Sequence, residues 1–156
     1  MKKLFDTDPN NWSALVARLA LGIVIFPHGA QKLFGWFGGY GFDGTMGFLT
    51  SQARLPYIIA LLVILIESIG ALFVFFGFAT RIAALAILAN FIGVVFKVHA
   101  ANGFFMNWTG AQKGEGFEYF LLLLGLTIIL LITGGGKASI DAVLIKKQRL
   151  SISSLL

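Results

Sequence analysis

His28, Gln31 and Lys32 fall within one helical turn at the end of an apolar run, in the stretch FPHGAQKLFGWFGGYG. An imidazole, an amide and an ammonium all donate hydrogen bonds, and the imidazole can also exchange a proton near neutral pH. The glycines that follow allow close backbone approach, and Trp36 offers a flat apolar surface. Further along stand Lys97, His99, Glu115 and Glu118, while Arg18 and Glu67 sit inside apolar runs of their own. Donors at His28, Gln31, Lys32 and His99, with carboxylates at Glu67 and Glu118 to relay protons, suit a small molecule with carbonyl acceptors. His28, Gln31, Lys32, Trp36 and His99 are therefore the candidate binding residues, and Glu67 and Glu118 the candidate relay.

The elements that must hold these groups are set by composition. The 156 residues are 58% hydrophobic and 12% charged, with a mean hydropathy of +0.88. Soluble domains carry about 25% charged residues, so lipid must solvate part of this chain. The length suits one unit, a single membrane domain over residues 1–156. Basic residues are spread along the chain, and the net charge of +5 is no nucleic-acid signal. The absence of cysteine excludes a dithiol mechanism and thiolate metal sites within the chain. No metal site is expected.

A helix crossing a bilayer needs ~20 mostly apolar residues. The sequence predicts an all-α, multi-pass protein with four spans, at about 12–34, 56–78, 80–100 and 116–133. Pro56 suits a first helical turn, and Gly77 and Gly134 suit helix ends. The short link GFATR makes a hairpin of spans two and three. Asp6, Asp8 and Pro9 separate the N-terminal lysines from the apolar run, unlike a cleavable signal peptide. Lys2, Lys3, Arg81, Lys137, Lys146, Lys147 and Arg149 share one side, against Lys32, Arg54, Lys97 and Lys113 on the other. The positive-inside rule then puts both termini in the cytoplasm of a bacterial inner-membrane protein. Residues 134–156 form a cytoplasmic tail, lying on the surface or partly disordered.

In that topology His28, Lys32, Lys97, His99 and Glu118 gather near the outer face, and Glu67 lies about halfway down its helix. At ~100° per residue, Arg18, His28 and Lys32 share one helix face. An ionisable group in lipid costs at least a few kcal/mol and normally finds a partner. Arg18 is expected to pair with Glu67 as a structural ion pair. Simpler readings exist: Lys32 and Lys97 can snorkel to the boundary, either histidine can be a packing residue, and Trp12, Trp36, Tyr40 and Trp108 suit an interfacial belt. The joint occurrence at one depth favours a pocket.

HGAQKLFGW (28–36) and HAANGFFMNW (99–108) share the order histidine, small residue, alanine, amide, then aromatics and tryptophan. They end spans that run in the same direction, as a two-plus-two parallel repeat would. The stretch is then a site wall made twice, not a frayed end.

The segments RLALGIVIFPHGAQKLFGWFGGYGFDGTMGF, GALFVFFGFATRIAAL after Glu67, FKVHAANGFFMNW, GFEYFLLLLGL and GGGKASIDAV resemble the DoxX family of bacterial membrane proteins, over about Arg18 to Val143. The resemblance implies a four-helix inner-membrane protein, named from a subunit associated with a terminal quinol oxidase. It also implies relatives tied to thiosulfate:quinone oxidoreduction, or to a membrane redox complex with superoxide dismutase and a thiol sulfurtransferase. The recurrent polar positions it implies are Arg18, His28, Lys32, Glu67, Arg81, His99 and Glu118.

The leading functional expectation is a membrane subunit of a redox system engaging a quinone at an outer pocket. No flavin or dinucleotide fingerprint is present, so electrons must arrive through a soluble or membrane partner or a bound cofactor. The alternative is a non-catalytic scaffold or a small-molecule transporter, though a transporter needs midplane groups and broken helices. A bis-histidine haem on His28 and His99 ranks last, because their depths differ by ~8 Å at 1.5 Å per residue. Gly22, Gly70 and Gly93 would permit close packing with a second copy as a homodimer.

Overall fold

The computed structural model describes residues 5–153, with side chains through Lys147, and these form helices and turns without strands. Helix α1 is Trp12–Phe34, α2 is Gly41–Gly47, α3 is Tyr57–Phe76, α4 is Thr80–Asn102, α5 is Glu118–Thr133 and α6 is Ile140–Ser153. Helices α1, α3 and α4 are long and apolar enough to cross a membrane, and α5 is a shorter apolar helix. The helix boundaries lie within two residues of the expected spans.

Each boundary has a local cause. The Asn11 side chain caps α1 by accepting from the Ala14 amide at 3.0 Å, and Gly35, at φ +74°, ends it. Pro27 interrupts the α1 hydrogen-bond ladder one residue before His28. Helices α3 and α4 each contain a π-helical turn, at Ile66–Gly70 and Val95–His99. Such turns add a residue to the helical register and re-aim side chains. The first carries Glu67, and the second carries Lys97 and His99.

The main core joins Ala14, Ala17, Leu21 and Ile25 of α1 with Ala71 and Val74 of α3, Ile87 and Phe91 of α4, and Leu123 and Leu130 of α5. Small residues dominate the α1 face because lipid gives no hydrophobic drive to helix association, and close van der Waals packing must supply it. Gly29 shows the tightness: a Cβ there would land on the Glu67 backbone carbonyl. Seven residues earlier, one at Gly22 would meet Phe75. Gly22 is thus used inside the fold, whereas Gly93 has open space around it and a Cβ at Gly70 would meet only neighbours in its own helix. A second cluster of Met46, Ala60 and Ile64 seats α2 and the turn Phe48–Gln52 against α3.

The end of the bundle that carries both terminal segments is a hydrogen-bonded knot. Arg18, 1% exposed, donates to the carbonyls of Gly135 and Phe75 at 2.6 Å, Lys137 at 2.8 Å and Ala138 at 3.2 Å. These carbonyls belong to the last turn of α3 and the turn after α5, where helix ends leave acceptors without partners. Asp141 caps the start of α4, accepting from the amides of Ala79 at 2.8 Å and Thr80 at 2.9 Å and from the Thr80 hydroxyl at 2.7 Å. Arg81 donates to the Leu131 and Ile132 carbonyls at the end of α5. Residues 134–141 of the expected surface tail are therefore built into the bundle. Ser139 and Asp141 are buried, and the Ser139 hydroxyl caps α6 by accepting from Ala142. Gly77, at φ +67°, gives the α3–α4 turn its left-handed step, and its carbonyl accepts from the Asp141 amide at 2.9 Å.

Candidate functional site

The polar groups at the opposite end fall into two clusters. In the first, α1, α3 and α4 meet at Glu67, which is 3% exposed. The Lys32 ammonium reaches back along α1 to lie 2.6 Å from Glu67 Oε2. It also lies 3.5 Å from the His28 carbonyl. Asn90 of α4 donates to Glu67 Oε1 at 3.2 Å, so both carboxylate oxygens are bonded. The π turn at Ile66–Gly70 and the glycine contact at Gly29 allow this convergence. One widens the α3 register at Glu67, and the other lets the two backbones touch there.

This arrangement corrects one expected pair. Arg18 does not bond Glu67, because its Nε and both terminal nitrogens are held by backbone carbonyls at the other end of α1. Lys32 takes that place. It is not snorkelled away from lipid but turned inward, with its side chain 27% exposed. Asn90 is the member of this cluster that the sequence-predicted site lacks.

In the second cluster, His99, Glu115 and Glu118 fold the 103–117 loop. Glu118 Oε1 accepts from the Met106 amide at 2.8 Å, and Glu115 Oε2 from the Asn107 amide at 2.7 Å. His99 Nδ1 bonds the Glu115 carbonyl at 2.8 Å, and its ring lies 4.5 Å from that of Phe120. These bonds occupy one oxygen of each carboxylate and one nitrogen of the imidazole with loop backbone.

The remaining candidates line the end of α1. His28 is exposed, and among the described residues its ring has no hydrogen-bond partner. Gln31 donates to the Phe37 carbonyl at 3.3 Å, closing the tight turn Trp36–Gly38. Trp36 is 53% exposed, with its ring 5.1 Å from Phe34. The two histidine-to-tryptophan segments share one role: Gln31 and Asn102 each bond a carbonyl of the loop that follows, at 3.3 Å and 3.0 Å. Their histidines differ, one exposed and one packed on Phe120. Among the described residues, no three His, Asp or Glu side chains gather as a metal-ligand set.

Two clefts stand at the knotted end. One, of about 400 Å³, is lined by Asp6, Thr7, Asp8, Pro9, Arg81 and Thr133. The other, of about 470 Å³, lies between α1, α3 and α6.

Comparison with known proteins places this architecture. The DoxX family model matches residues 13–100. The chain is 33% identical over 135 residues to the "Putative oxidoreductase CatD" of Bacillus subtilis, covering 86% of this chain and 89% of that one. It is 33% identical over 147 residues to the inner membrane protein YqjF of Escherichia coli, covering 94% and 99%. A second Escherichia coli inner membrane protein, YphA, is 28% identical over 131 residues, covering 81% and 86%. No solved structure matches.

Proposed function

The chain belongs to the DoxX family of multi-pass inner-membrane proteins, and from that premise we propose that it is a redox-system subunit holding a quinone-like molecule beside Lys32. The observation that carries this reading is the Lys32–Glu67–Asn90 cluster, a charged group inside an apolar bundle. Ionisable residues at such depth usually mark a substrate or proton path. The similarity to the "Putative oxidoreductase CatD" favours redox chemistry over transport.

In this reading all four apolar helices cross the membrane. Residues 7–11 bond residues 133–137 at one end, as an even number of crossings requires. Helix α5 has 16 residues, or ~24 Å at 1.5 Å per residue, against ~30 Å of hydrocarbon, a mismatch that local thinning accommodates. The excess of basic residues at the terminal end puts that end in the cytoplasm.

Reduction of a quinone takes up two electrons and two protons. The electrons come through a partner protein or a bound cofactor, since this chain has no cysteine and no nucleotide fingerprint. Lys32 donates a hydrogen bond to a carbonyl oxygen at the mouth of the bundle. His28, one turn earlier on α1 and exposed, supplies a second donor. As the electrons arrive, Lys32 and His28 each pass one proton to a carbonyl oxygen and are reprotonated from the aqueous phase, while Glu67 holds the Lys32 head in place and Asn90 fixes the carboxylate. Trp36 and Phe34 give the ring an apolar surface. His99 and Glu118 shape the neighbouring loop and act on the site through its position.

The test is to purify the protein in mild detergent and identify retained small molecules by mass spectrometry and absorbance, beside Lys32→Met and His28→Ala. A quinone retained by the parent, and lost from Lys32→Met that is still folded and from His28→Ala, supports the reading. Folded protein that retains no quinone, even after incubation with one, overturns it in favour of a scaffold.

A further inference from the structure

The groove between α1, α3 and α6 has almost wholly apolar walls, formed by Leu15, Leu19, Phe75, Phe76, Ile140 and Val143. It stands at the end of the bundle opposite Lys32, so it is no part of the proposed redox site. Arg18 and Ser139 lie at its base, but their polar atoms are spent on the carbonyls and amide of the knot. The groove therefore offers a ligand apolar contact and little hydrogen bonding.

Charge begins where the apolar wall ends. On α6, Lys147 follows Ile140 by seven residues and Val143 by four, and Lys146 follows Val143 by three, so both lysines neighbour the groove-lining face. Both are exposed, and Val143 is 66% exposed. Asp141, the acidic group nearest the groove on this helix, points away into the cap of α4. An apolar slot at a helix-bundle end that runs into two exposed lysines matches one class of molecule in a membrane.

We propose that this groove binds the acyl chain of an anionic phospholipid, with Lys146 and Lys147 on its phosphate. Basic residues near a membrane surface attract anionic headgroups, and two of them favour an anionic over a zwitterionic lipid by on the order of tenfold or more. The lipid bridges α1 and α3 to α6, which fixes the amphipathic helix on the membrane surface.

The test titrates the purified full chain with phosphatidylglycerol and with phosphatidylcholine of identical acyl chains, read by native mass spectrometry. The expected result is at least tenfold tighter binding of phosphatidylglycerol. Lys146→Gln/Lys147→Gln removes that preference, and Val143→Asp weakens both lipids. All three positions are exposed, and circular dichroism checks that the variants keep their helices. Equal affinity for the two lipids in the parent overturns the proposal. So does a preference that survives loss of the lysines, or binding that Val143→Asp leaves unchanged.

Discussion

Lys32 and Glu67, thirty-five residues apart, form an ion pair of 2.6 Å in which the carboxylate is almost wholly buried and the ammonium is not. The asymmetry decides what each substitution does. Lys32→Met leaves a buried carboxylate with only Asn90, and breaking a buried pair from one side costs about 3–5 kcal/mol. Glu67→Gln leaves an ammonium that can turn outward, so its cost is smaller. The double variant Lys32→Met/Glu67→Gln recovers most of the loss, because no unpaired charge remains. Thermal unfolding in detergent reads this order, and a double variant as unstable as Lys32→Met would show that the two residues act independently.

Gly29 and Gly93 separate close packing from helix propensity. Both substitutions to alanine favour the helix by up to about 1 kcal/mol. At Gly29 the new Cβ falls on the Glu67 backbone, which no rotamer change relieves. Overpacking of that kind costs about 1–3 kcal/mol. Gly29→Ala should therefore lower the melting temperature, while Gly93→Ala, with nothing near the new methyl, leaves it unchanged or raises it. Equal behaviour of the two would mean that α1 and α3 do not meet at Glu67.

The helices are legible because apolar runs bounded by Pro56, Gly77 and Gly134 carry both period and punctuation. The apolar run over residues 12–34 is the helix Trp12–Phe34. The polar partners were harder to read. Assigning Glu67 needed the rotation of α3, and the π turn at Ile66–Gly70 shifts that rotation without a residue-type signature. The partners of Arg18 are four backbone carbonyls, which leave no mark in sequence. The same holds for Glu115 and Glu118, whose partners are loop amides. Asp141 has a visible sign: in GGGKASIDAV, Ser139 before a helical run is an N-cap pattern, which makes Asp141 the second residue of that helix.

Glu118 then serves as a latch. Glu118→Ala frees the Met106 amide and removes one of the bonds holding the 103–117 loop. Hydrogen exchange at Met106 and its neighbours should accelerate at least tenfold, since a bond to a charged acceptor contributes about 1.5–3 kcal/mol. Exchange around Glu67 and Asn90 should stay as it was. An unchanged Met106 would remove the latch role and return Glu118 to the proton-relay candidates.

Arg18→Lys tests whether the knot needs a fork or only a charge. A guanidinium offers five donors in a fixed plane, and here it spans carbonyls from the end of α3 and from the turn after α5. A lysine carries the same charge on three donors in a compact head, so it cannot hold Phe75, Gly135 and Lys137 together. Each carbonyl left buried without a partner costs about 1–3 kcal/mol. The change should loosen the 134–141 turn and expose it to limited proteolysis. Asp141→Asn keeps an acceptor oxygen for the Thr80 cap and should produce a milder effect. If Arg18→Lys stays as resistant as the parent, charge alone holds the knot, and the carbonyl geometry is incidental to it.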